Sequence, residues 1–92
     1  MKYVEVSVTE TDILLGKKGS CTQCPIAYAV KRATGRKRNV VVDGQYLTIN
    51  PDRPCEQEMH LPKKARDFVI KFDSGKKVKP FKFGIPMEMV KQ

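Results

Sequence analysis

Apolar and polar positions alternate from Tyr3 to Val8. Val4, Val6 and Val8 point one way and Tyr3, Glu5 and Ser7 the other, which predicts a half-buried strand. Thr9-Glu10-Thr11-Asp12 then supplies capping side chains for a short helical turn through Ile13, Leu14 and Leu15, stopped at Gly16. After the loop Lys17–Ser20 the spacing becomes helical, with Ile26, Ala29, Val30 and Ala33 on one stripe. Pro25 suits the first helical position, where its missing N–H would have been unbonded anyway. Gly35 suits the stop, where a left-handed residue closes the last turn. Lys31 and Arg32 fall in that turn, where the helix dipole favours cations. This helix is expected to lie across a small sheet and present its basic end to a partner.

Beyond Gly35 the period is two. Asn39–Val42 and Gln45–Ile49 flank Asp43-Gly44, a type I′ hairpin signal. A two-residue Asp-Gly loop would set Val42 opposite Gln45 and Val40 opposite Leu47. Val40, Val42, Leu47 and Ile49 would share the core face, with Val41 and Tyr46 on the other. Asn50–Pro54 breaks the strand, and Cys55–Leu61 holds one short extended segment. Pro62 is read as the first position of a second helix, whose Ala65, Phe68, Val69 and Phe72 follow an amphipathic spacing up to Ser74-Gly75. A last strand, Val78–Gly84, carries Phe81 and Phe83 on one face, with Pro80 suited to an edge. The expected fold is a small α+β domain in β-α-β-β-α-β order: one mixed or antiparallel sheet with two helices packed on one face. The domain is expected over residues 1–86, with 87–92 a loosely held tail.

Composition changes the picture through charge. The 92 residues carry 18 Lys+Arg against 10 Asp+Glu, a formal net charge of +8. That balance favours nucleic acid or another polyanion as partner, the competing reading being a solubility surface. An acidic residue, Glu5, precedes any apolar run, so no signal peptide is expected. No stretch approaches transmembrane length, so no membrane partner is expected. Three cysteines argue against a secreted disulfide framework, and the expected compartment is the cytoplasm.

Three candidate chemistries follow. Cys21 and Cys24 have the spacing of a zinc knuckle, which Cys55 and His60 would complete as a Cys3His set. The competing reading makes Cys24 a helix cap, Cys21 a loop thiol and Cys55 a small apolar packing group. Redox chemistry at the same CxxC would use a thiolate near a helix N-terminus, but no parallel βαβ pattern leads into it. The third is polyanion binding. Lys31, Arg32, Arg36, Lys37 and Arg38 form one cluster, and Lys76, Lys77, Lys79 and Lys82 another. Lys63, Lys64 and Arg66 begin the second helix, where cations oppose the dipole. Tyr3 and Tyr46 would stack on unpaired bases if exposed. One histidine and scattered carboxylates show no base–nucleophile pairing, so no catalytic residue, cofactor or small-molecule substrate is assigned.

Several phrases together carry a resemblance: Val6–Ile13 with Gly16, Cys24-Pro25-Ile26-Ala27 with Ala29 and Arg32-Ala33, Leu61-Pro62 with Ala65 and Phe68-Val69, Phe72–Lys76, and Val78–Phe83. From Val6 to Phe83 the chain resembles small accessory proteins of bacteriophages and prophages, a family without a settled activity. The resemblance implies a phage-encoded protein working in a bacterial cytoplasm and transfers no catalytic residue. The leading expectation is a non-enzymatic accessory protein that binds nucleic acid, or a nucleic-acid-processing host machine, through a basic surface. The alternatives are a stoichiometric inhibitor or adaptor docked on an acidic host protein, such as a polymerase or a defence nuclease, and a zinc-stabilised interaction module.

Overall fold

The computed structural model describes residues 2–35, 39–43, 45–50 and 56–87. Its elements are β1 (Tyr3–Val8), α1 (Glu10–Leu15), α2 (Pro25–Ala33), β2 (Val40–Val42), β3 (Tyr46–Ile49), β4 (Gln57–His60), α3 (Lys63–Asp73) and β5 (Phe81–Pro86). The class is α+β, as the periodicities predict. The strands form two antiparallel sheets in place of the single one expected: a ribbon of β1 and β5, and a meander in the order β2-β3-β4. The third helix is α1, the turn expected after the first strand. The residues expected in the tail, Met87 apart, lie outside the described set.

The two-sheet arrangement follows from α2. Its buried arc is wider than a stripe, because Ala27 joins Ile26, Ala29 and Val30 in the interior. A helix apolar over so broad an arc packs against more than one neighbour, and α2 meets both β1 and β2. Cys24 stands before it as N-cap, its Sγ accepting from the Ala27 amide at 3.4 Å, and Pro25 takes the first helical position. Gly35 closes the helix at φ +95°. Gly16 has a different reason to be glycine: a Cβ there would fall 2.5 Å from Cδ of Pro25.

The ribbon joins distant parts of the chain. Val4, Val6 and Val8 face Ile85, Phe83 and Phe81 across it, and the last strand runs on to Pro86, two residues beyond its expected end. Pro80 lies just before the strand and so withholds no ladder donor. In the hairpin, Val42 faces Leu47 and Val40 faces Ile49, a shift of two residues from the expected register. Asp43 causes it. Its Oδ1 accepts from the amides of Gln45 and Tyr46, and its own amide donates to the Tyr46 carbonyl, so the turn is centred one residue later. A shift of two keeps every side chain on its face, and Val40, Val42, Leu47 and Ile49 are all buried. The extended segment expected within 55–61 is β4.

Pro62 is the N-cap of α3, one position earlier than expected, and no side chain caps this end. The other end is closed by the Lys76 and Gly75 amides, which donate to the carbonyls of Lys71 and Phe72 with Gly75 at φ +80°. Phe68 and Phe72 are buried, and Phe68 packs on Phe81 at 4.9 Å between ring centroids. Asp73 at the end of α3 accepts the Gly19 amide at 3.0 Å, tying the loop before α2 to the far helix.

Candidate nucleic-acid interface

Lys64, Asp67 and Lys71 stand at i, i+3 and i+7 on α3, on an exposed face that borders the buried Phe68. The chain returning from α3 to β5 runs beside that face. Between the two lies an open groove of about 500 Å³, with Lys64 and Lys71 on one wall and Lys77 and Lys79 on the other. Its apolar lining is Val78, Pro80, Phe81 and the edge of Phe68. Asp67 is the one carboxylate there, and its nearest cation is Lys63, outside the groove, at 3.8 Å. The four groove lysines make no ion pair among the described residues.

A second depression, of about 400 Å³, shares Lys64 with the groove and is lined further by Tyr3, Glu5, Lys82, Phe83 and Gly84. Lys82 reaches Glu5 across the ribbon at 3.6 Å, both side chains being well exposed. Tyr3 is 56% exposed. Phe81 is half-buried and held from two sides, by Phe68 and by Phe83, the latter ring nearly parallel at 5.7 Å.

Arg32, expected in the basic surface, keeps 38% of its side chain exposed, and its charge is already paired. Its Nη1 and Nη2 donate to Asp12 Oδ1 and Oδ2, each at 2.7 Å, and Nη2 also donates to the Ser7 carbonyl at 2.8 Å. Asp12 is almost fully enclosed, with a side-chain exposure of 4%, and accepts the Thr9 amide in a capping box. Burial alone would push the Asp12 carboxyl up. The Arg32 and Thr9 hydrogen bonds, together with the Arg32 charge, outweigh it and hold the pKa below the ordinary 3.8. The hydrogen bonds to Asp12 push Arg32 upward in turn. A bidentate pair of this kind locks α1, α2 and the end of β1 together.

The remaining candidates separate. Lys31 lines another depression together with Arg32, Leu15 and Tyr28. Lys76 is exposed but outside the groove, and Arg36, Lys37 and Arg38 lie outside the described residues. Cys21 is exposed, and its carbonyl accepts the Val42 amide. Cys24 is buried and serves as a cap; burial pushes its thiol up, against the thiolate that metal binding or redox work needs. His60 rests on Tyr46 at 4.3 Å, so that ring is partly covered, and Cys55 lies outside the described residues. No group of three or more His, Cys, Asp or Glu that could hold a metal occurs among the described residues. Likewise, no helix among them is long and apolar enough to cross a membrane.

Sequence reasoning paired Lys77 with Lys79 but assigned Lys71 to neither basic cluster. Its seven-residue distance from Lys64 was the available signal. No family model, no curated protein and no solved structure matches the chain.

Proposed function

We propose that this is a non-enzymatic accessory protein that binds nucleic acid through the lysine groove between α3 and the segment leading into β5. The observation carrying the reading is the set Lys64, Lys71, Lys77 and Lys79, gathered around one groove without ion-pair partners among the described residues. Unpaired cations side by side repel, and phosphates relieve that repulsion while releasing condensed counterions. The N-terminus of α3 supports the same reading. Its first turn holds Lys63 and Lys64 and no acid, against the helix dipole. The resemblance to phage and prophage accessory proteins sets this activity in a bacterial cytoplasm. Titration of labelled DNA and RNA against salt tests it. Four neutralised phosphates give a slope of log K on log salt of about −3 for a single strand. No binding to either polymer at low salt overturns the reading, and a single host protein retained after nuclease treatment favours an adaptor instead.

A further inference from the structure

We infer that two copies of this chain pair through the outer face of α1, about a two-fold axis near Leu14 and Leu15. This pairing does not depend on the nucleic-acid reading. α1 buries Asp12, packs Ile13 against the core and leaves Glu10, Thr11, Leu14 and Leu15 exposed. Leu14 is 83% exposed and Leu15 59%. Neither belongs to the core, so two leucines at these positions add little to folding. Beside Leu15, between α1 and α2, lies a depression of about 320 Å³ lined also by Thr11, Tyr28 and Lys31. The bonded pair of Asp12 and Arg32 completes its lining. A projecting leucine next to a hollow is what an isologous contact needs, because each copy's Leu14 then fills the hollow of the other. Ile70, the other large exposed aliphatic side chain among the described residues, stands alone on α3.

The charges around the leucines favour a second copy over other partners. Glu10 opens α1 and Lys17 follows its end. Both are exposed, and neither makes an ion pair among the described residues. Two α1 helices packed antiparallel bring Glu10 of each copy toward Lys17 of the other. At the helical rise, Glu10 stands about 7 Å before the axis and Lys17 about 4 Å beyond it, a difference that long side chains span. The face therefore carries both signs, in the order that a two-fold rotation makes complementary. A nucleic acid or an acidic protein would meet Glu10 with like charge, and phosphates offer the leucines no apolar surface.

Analytical ultracentrifugation of the full chain, freed of nucleic acid, tests the pairing. The net charge of +8 on each copy opposes association, so the measurement is made at about 0.3 M salt, where that repulsion is screened. The expected result is a monomer–dimer equilibrium with a dissociation constant on the order of 0.1 mM, as suits a small interface. Leu14→Glu raises that constant at least about tenfold. Glu10→Lys also raises it, and adding Lys17→Glu restores it at unchanged net charge. In a Cys21→Ser, Cys55→Ser background, Leu14→Cys is captured as a disulfide-linked dimer on mild oxidation and Ile70→Cys is not. Circular dichroism checks that each variant is folded. A chain that stays monomeric up to about 1 mM overturns the inference. So does a dimer indifferent to Leu14→Glu, a charge swap that fails to restore association, or capture at Ile70 as efficient as at Leu14. Each of these failures leaves the lysine groove and its salt titration untouched.

Discussion

Two charged regions of this protein obey opposite rules. At the corner of α1, α2 and β1, Asp12 and Arg32 meet in a bidentate pair, with every oxygen of the enclosed carboxylate and both terminal guanidinium nitrogens bonded. Between α3 and β5, four lysines share a groove and leave their charge unanswered among the described residues. The first arrangement satisfies a buried charge, which folding requires. The second leaves exposed like charges together, which folding does not need and mildly opposes. Charge left unanswered is what a partner of opposite charge would relieve, and charge that is fully bonded serves the scaffold.

Breaking the corner has the largest expected effect. Asp12→Ala removes the capping box and leaves the guanidinium half-exposed, with only the Ser7 carbonyl. The expected loss is about 2–4 kcal/mol in urea unfolding, below the full cost for a deeply buried pair because Arg32 keeps 38% of its surface. A loss under about 0.5 kcal/mol would make the pair ornamental and the contrast empty. The corner also sets a pH dependence. The Asp12 pKa is lowered in the fold, so its stabilisation is complete above the unfolded value near 3.8 and drains away as pH falls through the folded value. Unfolding followed from pH 6 to pH 2 shows this acid loss, and Asp12→Asn flattens it.

The groove is expected to respond the other way. Lys77→Glu with Lys79→Glu leaves stability within about 0.5 kcal/mol but lowers the salt slope of single-strand binding by about 1.4 for two lost contacts. Lys64→Glu sharpens the comparison further. Relief of the dipole at the start of α3 adds about 0.3–1 kcal/mol of stability, while nucleic-acid affinity falls, so stability and binding move in opposite directions on one substitution. The smallest effect concerns the thiols. With Cys55→Ser, Cys21 reacts at once with a thiol reagent and Cys24 only on unfolding, since it is buried as the N-cap of α2.

Much of this fold was legible because its signals are local. The alternation of Val4, Val6 and Val8, the cap at Thr9, the stripe on α2 and the stop at Gly75 all act through neighbouring residues. The hairpin faces were right although the register was two residues off, because side-chain facing depends only on parity, whereas turn position depended on which amides Asp43 captured. The basic surface was legible only in part. Lys77 and Lys79 announced themselves as neighbours in sequence, but Arg32 looked like any cation in a last helical turn. Nothing local says that its guanidinium will find Asp12, twenty residues earlier.

The sequence by itself determined the elements, their buried faces and the excess of positive charge, since periodicity, caps and composition are properties of short stretches. Tertiary structure alone decided the separation into ribbon and meander, the conversion of Arg32 into scaffold, and the meeting of Lys64 and Lys71 with Lys77 and Lys79. Those outcomes depend on how α2 and α3 pack against strands from both ends of the chain, and contacts of that range are fixed by the shape of the shared core.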